Sequence, residues 1–184
     1  YKDNELGVEL GGNGYDSKKI VSEIKQLEQQ GYQFDVAEGS FKILIQNFTD
    51  QFEPLFRLES FRVTIEKDKD GPCSSQATVK ISVGDKQEIT AAEGYGPVSA
   101  LDNALRKALG NFYPDLDTMN LVDFKVRITQ GGTEAVTRVV IDSEDSTGRR
   151  WATVGVSANI VDASFEALLD AIEWKLVRDG APAS

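Results

Sequence analysis

The amino-acid sequence predicts an α+β fold in which a helical linker subdomain is followed by two pseudo-twofold βββα units. Apolar residues recur with helical spacing before residue 60 and alternate with period two after it. The order strand, strand, strand, helix then occurs twice, and one constant offset superimposes the first and last elements of the two copies. The 184 residues, 40% of them apolar, suffice for one compact core of roughly 100–150 residues with an appendage.

Three segments are predicted along the chain. Residues 1–16, rich in Gly, Asn and Asp, are expected to form a flexible leader, and residues 17–59 a helical linker subdomain. Residues 60–184 are predicted to form the main α+β domain. Its repeat units span residues 60–110 and 121–180.

Two amphipathic helices are predicted in the linker. Ser17 would cap the first helix, which Gly31 would end. The second would begin at Asp35, with Glu38 three residues later completing a capping box. The predicted buried residues are Ile20, Ile24 and Leu27 in the first helix and Phe41, Leu44, Ile45 and Phe48 in the second.

The repeat is visible in the residues themselves. The offset that places Phe61 on Phe124 also places Val63, Ile65, Ala100, Ala104 and Leu105 on Val126, Ile128, Ala163, Ala167 and Leu168, and we call it the repeat offset. The predicted strands begin at Ser60 and cover residues 77–83, 87–92, 121–129, 135–142 and 150–157, with helices over residues 97–109 and 160–178. Each sheet is expected to have one apolar face, and residues 143–148 to form a polar hairpin tip.

Composition argues against several classes of function. The chain has no histidine and one cysteine, Cys73, so zinc sites and Ser–His or Cys–His pairs cannot be built, and no cofactor is expected. The 30 acidic residues are expected on solvated surfaces, which argues against catalysis by this fragment. Net charge −10 disfavours nucleic acid and anionic membranes as partners. The lone cysteine fits a cytoplasmic protein, and the start at Tyr1 indicates an excised piece.

The most informative segment is Glu93-Gly94-Tyr95-Gly96-Pro97, which joins a strand to a helix. Its glycines let the backbone approach a ligand, and the helix start directs N–H groups at the loop, where a carboxylate could bind while Glu93 receives an ammonium. That combination suits an α-amino acid. An ordinary turn is the alternative. The second copy has residues 156–160 at this point instead, which indicates either one binding junction or drift between the copies.

Residues 61–178 resemble the C-terminal regulatory domain of 2-isopropylmalate synthase and citramalate synthase. The resemblance rests on three motifs: Thr90-Ala91-Ala92-Glu93-Gly94-Tyr95-Gly96-Pro97-Val98, Leu121-Val122-Asp123-Phe124-Lys125-Val126 and Trp151-Ala152-Thr153-Val154-Gly155-Val156-Ser157. In the linker, Gly31-Tyr32-Gln33-Phe34 and Ala37-Glu38-Gly39-Ser40-Phe41 resemble the citramalate synthase branch. Gly94-Tyr95-Gly96 differs from the commoner Gly-Asn-Gly of the family.

The resemblance implies a function. The parent enzyme would condense acetyl-CoA with pyruvate in a barrel that holds a divalent metal. Residues 60–184 would be its regulatory domain, which would bind an amino acid, the end product isoleucine or alternatively leucine, and form a homodimer. Matched by position, Glu93, Gly94, Tyr95 and Gly96 would hold the amino and carboxylate groups. The apolar pocket would consist of Val98, Ala100, Leu121, Phe124, Ile128 and Ile160, with Thr133 and Thr137 nearby.

Alternatives remain for the pocket residues and for the whole domain. Phe124 and Ile128 share a strand face and could be ordinary core, whereas Leu121 has the opposite parity and would join them only from an entry loop or a bulge. A double-stranded-RNA-binding domain has the same element order, but the acidic charge opposes it. A structural dimerisation domain without a ligand also fits the sequence.

Overall fold

The computed structural model describes residues 17–48, 52–129 and 135–181, and in these ranges the predicted α+β fold is confirmed. It contains two three-stranded antiparallel sheets and four α-helices; the predicted leader lies outside the described residues. The elements are α1 (Ser17–Gln30), α2 (Glu38–Asn47), β1 (Arg57–Lys67), β2 (Cys73–Val83), β3 (Lys86–Gly94), α3 (Pro97–Leu109), β4 (Met119–Ile128), β5 (Thr137–Asp145), β6 (Arg150–Ser157) and α4 (Ile160–Arg178). Short 3-10 helices occupy Phe34–Val36 and Pro114–Thr118.

The first βββα unit is a sheet in the order β1-β2-β3, with α3 across one face. The register pairs Phe61 with Val79 and Val79 with Thr90, so these three residues share that face. The helix lies mainly over β2 and β3 and hardly touches β1. As a result Val79 is fully buried, Phe61 is half-buried, and Ile65 at the end of the β1 row is 53% exposed.

The helix packs closely because its inner face alternates small and branched residues. The buried positions of α3 are Ala100, Leu101, Ala104, Leu105, Ala108 and Leu109, which face Ala77, Val79, Ile81 and Val83 of β2. Alanines every fourth residue let the helix axis approach the sheet, and the leucines fill the space beside it. The predicted helix boundaries, Pro97 to Leu109, are confirmed.

The sheet β4-β5-β6 differs from the first because its strand β6 is covered on both faces, whereas most of β4 is exposed. On one face α4 packs against β6, where Trp151 Nε1 donates to the Ala171 carbonyl at 3.0 Å. On the other face the linker helices pack against Val154, which is fully buried. The linker residues of this core are Ile20, Phe34, Ala37, Phe41 and Ile45. The expectation of a single apolar face is therefore wrong for this sheet.

The start of the second linker helix also differs from the prediction. Asp35 lies in the 3-10 helix, and α2 begins at Glu38 after Ala37, whose backbone occupies the N-cap without a side-chain hydrogen bond. Instead of capping its own helix, Glu38 accepts a hydrogen bond from the Ala152 amide of β6 at 3.2 Å. The capping box is therefore wrong, because a tertiary partner takes the carboxylate.

By its internal contacts the chain divides into two compact units, which differ from the two βββα repeats. Each compact unit consists of three separate stretches of sequence. One unit contains residues 1–53, 123–142 and 151–171, and the other contains residues 54–122, 143–150 and 172–184. Strands β4, β5 and β6 and helix α4 each contribute residues to both units. The predicted boundary at residue 59 stays a prediction.

The β5–β6 hairpin is tighter than expected. Ser143 and Asp145, predicted in a polar tip, are buried residues of β5. Asp145 Oδ1 accepts hydrogen bonds from the Thr147 amide at 2.9 Å and the Thr147 hydroxyl at 2.6 Å, and Arg178 binds the other oxygen. These bonds, those from Thr147 first, hold the pKa of Asp145 well below its usual range. The strand lengthens because the turn is built on this carboxylate.

The chain enters β1 through a buried anchor at Leu55. Its amide donates to Glu173 Oε1 of α4 at 2.9 Å, and its carbonyl accepts from the Tyr113 hydroxyl at 2.7 Å. Glu173 is only 8% exposed, and desolvation by burial raises its pKa to about 7. The expectation that acidic residues lie on solvated surfaces is wrong for this carboxylate.

We predict that Glu173→Gln stabilises the chain at high pH. The folded pKa of Glu173, about 7, exceeds its ordinary value of 4.5, so the folded state holds the proton more tightly. Ionisation of the buried group therefore costs stability progressively as pH rises from 4.5 to 7, reaching about 3 kcal/mol above pH 7. The amide oxygen of Gln still accepts from Leu55 and carries no such cost.

The test is urea unfolding of both proteins at pH 5 and pH 8. The variant should gain stability relative to the parent at pH 8 and little at pH 5. Glu66→Gln, which removes an exposed carboxylate from β1, is the matched control and should show no such pH dependence. An equal effect of Glu173→Gln at both pH values would contradict the prediction.

Candidate ligand site at the β3–α3 junction

The candidate site is formed where β3 ends and α3 begins. Gly96 is the N-cap of α3 with an extended backbone (φ −157°, ψ 173°), and its carbonyl accepts from the Ala100 amide at 2.9 Å. Pro97 has no N–H, so Val98 and Ser99 supply the amide donors of the first turn. Because Gly96 has no capping side chain, these donors and the positive end of the helix dipole face the loop.

The corresponding junction of the second unit is chemically different. At the start of α4, Asn159 Oδ1 accepts hydrogen bonds from the Val161 amide at 2.8 Å and the Asp162 amide at 3.3 Å. Ser157 Oγ in turn accepts from the Asn159 amide at 3.1 Å. The second repeat thus caps the start of α4 with its own Asn159 side chain. In the first repeat Gly96 provides no such cap, so the start of α3 can receive an acceptor from a ligand.

The two glycines of the candidate site, Gly94 and Gly96, have different structural roles. A Cβ on Gly94 would lie 2.4 Å from the Ala100 amide nitrogen, so glycine is required there for helix and strand to pack. A Cβ on Gly96 would have no atom within 4 Å among the described residues, so this position borders open space. Gly94 therefore serves the fold, and Gly96 leaves the helix start accessible.

Glycine recurs in the second unit, though two residues earlier. A Cβ on Gly155 would lie 1.9 Å from the Ala163 carbonyl oxygen. The repeat offset matches Gly155 with Ala92 and Gly94 with Ser157. The helix therefore comes closest to the strand two residues further along β3 than along β6.

Side-chain bonds fix β3 against α3 below the junction. Thr90 Oγ1 donates to the Ala104 carbonyl at 2.6 Å, and the matching Thr153 donates to the Ala167 carbonyl at 2.7 Å. Each threonine hydroxyl thus gives a helix carbonyl a second hydrogen-bond donor at the same point of the repeat. Sequence analysis missed this pair, although the repeat offset matches the two threonines with each other.

The structure brings the residues from Glu93 to Ala100 together at this junction. The side chain of Tyr95 is fully exposed and that of Glu93 is exposed, while Ala100 is fully buried. Gly94, Gly96 and Val98 are partly buried. The junction thus offers an exposed carboxylate and a ring beside the amides of the helix start.

The other predicted pocket residues lie on separate elements. Phe124 and Ile128 are exposed residues of β4 that share a face by alternation, 39% and 71% exposed respectively. Leu121 is half-buried and lies inside β4 rather than in an entry loop, and Thr137 is buried on β5. Ile160 is the exposed first residue of α4. Thr133 lies outside the described residues.

A second polar cluster, which sequence analysis missed, lies at the outer edge of β6. Three side chains accept hydrogen bonds from alternate amides of this edge. The pairs are Glu38 with Ala152 at 3.2 Å, Ser40 with Val154 at 2.9 Å, and Glu166 with Val156 at 3.0 Å. We call these bonds the β6 edge contact. Gly39 makes the approach possible, because a Cβ there would lie 2.9 Å from the Ala152 carbonyl oxygen.

Linker and α4 also meet beside this edge. Tyr32 donates its hydroxyl hydrogen to Glu166, and Ser40 donates to Asp170 at 2.5 Å. Burial raises the pKa of Glu166, and burial together with the Glu166 carboxylate raises the pKa of Tyr32. A cavity of about 150 Å³ lies among these groups, lined also by Leu27, Phe34, Ile43, Leu44 and Asn47.

Arg138 of β5 holds the turn between the linker helices. Its guanidinium donates to the Gly31 carbonyl and, at 2.9 Å, to Gln33 Oε1. Gly31 itself has φ +113°, a conformation that favours glycine, and a Cβ there would lie 3.2 Å from Thr129 Oγ1. The turn is therefore fixed by both backbone conformation and β5.

One sequence signal points to the covered sheet. Residues 151–156 are apolar except for Thr153, a pattern typical of a strand that is buried on both faces. The matching segment of β3, residues 88–93, contains three polar residues, Glu88, Thr90 and Glu93. The contrast between the two copies could have shown which sheet carries the linker.

Neither a metal cluster nor a membrane span is found in the part of the chain that the structure describes. There, no three His, Cys, Asp or Glu side chains converge as metal ligands. Likewise, no helix in residues 17–48, 52–129 or 135–181 is long and apolar enough to cross a bilayer.

The fold and the junction together define a duplicated βββα domain in which one copy has an open strand-to-helix junction and the other carries a linker. Residues 35–176 match the family model of the LeuA allosteric (dimerisation) domain, and the chain belongs to this family.

Similar proteins agree with this assignment. The chain is 44% identical over 182 residues to the (R)-citramalate synthase of Aquifex aeolicus, a match that covers 97% of this chain and 34% of the relative. For the (R)-citramalate synthase of Geobacter sulfurreducens the identity is 47%, covering 95% of this chain and 34% of the relative. For that of Streptomyces coelicolor it is 43%, covering 99% and 35%. The chain thus spans about a third of the length of these relatives.

We predict that Gly94→Ala destabilises the chain by about 3 kcal/mol, whereas Gly96→Ala costs less than about 1 kcal/mol. The methyl group at Gly94 would displace the first turn of α3, and the one at Gly96 would enter open space. Chemical denaturation of both variants measures the difference. Equal losses of stability would show that the two glycines do not differ as the geometry requires.

Proposed function

We propose that the chain is the regulatory part of a citramalate synthase, and that it binds a branched-chain amino acid, isoleucine first, for feedback inhibition. The single observation that carries the ligand proposal is the open start of α3, where Gly96 leaves the amides of Val98 and Ser99 without a capping side chain. The similarity to (R)-citramalate synthases supports the parent enzyme and its acyltransferase class.

The chemistry of the junction suits an α-amino acid. The carboxylate would accept hydrogen bonds from the Val98 and Ser99 amides at the positive end of the helix. The ammonium would lie by the exposed Glu93 carboxylate, which precedes Gly96 closely in the chain. As the resemblance to the family implies, the apolar side chains of Val98, Phe124, Ile128 and Ile160 would be the ones to contact the branched side chain of the ligand.

We propose isoleucine rather than leucine as the ligand because the relatives named above are citramalate synthases and the linker motif resembles that branch. In that role the catalytic part of the same enzyme would be the partner, condensing acetyl-CoA with pyruvate at a divalent metal in its barrel, in the cytoplasm. This chain would contribute recognition and no catalytic group. Leucine is the alternative ligand.

A homodimer accompanies the proposal. Within β4, the side chains of Val122, Phe124, Val126 and Ile128 fall on one face by alternation and each is more than a third exposed. A contiguous apolar row of this kind indicates a protein interface. The family is named for dimerisation. A structural dimerisation domain without a ligand is the second candidate function, since this row needs no ligand to explain it.

We predict that isoleucine raises the melting temperature of the chain more than leucine or valine does. A ligand at 100 times its Kd stabilises the folded state by about 2.7 kcal/mol. Discrimination between isomers rests on one methyl position and is worth about 1–3 kcal/mol. Thermal unfolding with each amino acid measures this. Equal shifts for isoleucine and leucine would remove the preference, and no shift with any of the three would favour the structural alternative.

The variant Gly96→Val sharpens this test. Its Cβ has no neighbour within 4 Å and the backbone is extended, so the fold should persist by circular dichroism while the side chain obstructs the helix start. We expect the isoleucine shift to disappear, and in the full-length synthase feedback inhibition to be lost while turnover remains. Gln87→Val, at an exposed position of β3, is the matched control and should retain the shift.

We predict a homodimer that Val126→Glu weakens. A buried charge at this row would have to be desolvated on association, so the dimer Kd should rise about tenfold or more. Light scattering at micromolar concentration measures the mass. The matched control, Ile89→Glu, places the same charge on an exposed position of the polar face of β3 and should leave the dimer intact. A monomer mass for the unmodified chain would refute the prediction.

A further inference from the structure

Two side chains of α3 reach the outer edge of β3. In the first repeat, Asn103 Nδ2 donates to the Glu93 carbonyl at 2.9 Å, and Lys107 Nζ donates to the Ala91 carbonyl at 3.4 Å. These donors occupy backbone acceptors of β3 that have no neighbouring strand on that side. The edge of β3 is therefore closed by its own helix.

The repeat offset matches these hydrogen-bond donors with acceptors in the second repeat. It matches Asn103 with Glu166 and Lys107 with Asp170, and it matches Ala91 and Glu93 with Val154 and Val156. The donors of α3 are thus replaced by carboxylates on α4, which accept hydrogen bonds and cannot donate them.

The carboxylates bind the linker as well as the strand. Glu166 accepts from the Val156 amide and from the Tyr32 hydroxyl. Asp170 accepts from Ser40, whose Oγ in turn accepts from the Val154 amide at 2.9 Å. Where the first repeat closes its edge alone, the second closes it with two hydroxyl groups of the linker.

We infer that Glu166 and Asp170 are the residues that attach the linker to the second repeat, and that through them α4 passes the state of the amino-acid site to the linker. The attachment stands on the observed bonds, whereas the transmission rests on the proposed function. Charge-assisted hydrogen bonds of this kind are short and about twice as strong as neutral ones.

The position of the two carboxylates on α4 supports the transmission. Ile160, a candidate ligand residue, is the first residue of this helix, and Glu166 and Asp170 follow about 9 and 15 Å along its axis. The helix is continuous between them, so a displacement at its start moves both carboxylates. A ligand that favours one position of α4 then favours one state of the linker.

The attachment is tested on this chain by hydrogen exchange. Glu166→Asn with Asp170→Lys introduces the residues of the first repeat and should release the linker. Tyr32→Phe with Ser40→Ala is the milder variant, which removes only the two hydroxyl groups. In both we expect the amides of Val154 and Val156 and those of residues 31–41 to exchange about tenfold faster or more.

The controls make the result specific. Asp142→Asn alters a half-buried carboxylate of β5 that pairs with Lys125, and should leave exchange at the edge of β6 unchanged. The amides of Thr153 and Gly155, which alternate with the edge amides and point the opposite way, should also be unaffected by the milder variant. Unchanged exchange at Val154 and Val156 in both variants would overturn the attachment.

The transmission is tested with isoleucine in the full-length synthase. In the Tyr32→Phe, Ser40→Ala variant, isoleucine should bind within about threefold of the unmodified affinity, while the maximal inhibition should fall at least severalfold. Binding with full inhibition would overturn the transmission alone. Failure of isoleucine to bind the unmodified enzyme would overturn the proposed function and the transmission with it, and the exchange experiment would still decide the attachment.

Discussion

The close approach of α2 to the outer edge of β6 is the constraint on which the arrangement of this chain depends. It requires glycine at residue 39, since a Cβ there would meet the backbone of Ala152 at 2.9 Å. The approach brings Glu38 and Ser40 to the strand amides and presses the apolar residues of both linker helices onto Val154. A bulkier residue would separate the helix from the strand, leave buried amides without partners, and open the core behind them.

Much of the fold was accessible from the sequence because its signals are local. Pro97 at the first helical position, Gly31 after the first linker helix, and the period-two strands each act within a few residues, and the limits of α3, β6 and α4 agree with prediction. The repeat added an independent check, since each element had to occur twice. The β3–α3 junction could be proposed as a site for the same reason, being contiguous in the chain.

The errors occurred where a residue's partner is distant in sequence. Glu38 has the spacing of a capping box, but its partner lies 114 residues away on β6. Tyr32 and Glu166 are separated by 134 residues, and nothing near either residue indicates the other. Glu173 and Asp145 are acidic residues whose burial becomes intelligible only when Leu55 and Arg178 are placed beside them. Local sequence predicts the secondary-structure element, whereas the partner of a polar side chain depends on the tertiary structure.

Closure of the outer edges of β3 and β6 has a consequence for how copies of this chain can associate. An open strand edge invites strand addition from another molecule, the usual first step of β-aggregation. Here the outer carbonyls of β3 face Asn103 and Lys107, and the outer amides of β6 face Glu38, Ser40 and Glu166. Strand addition at the outer edges of β3 and β6 is therefore blocked by side chains of the same chain, and the exposed apolar row on β4 offers side chains for association instead of these two backbone edges.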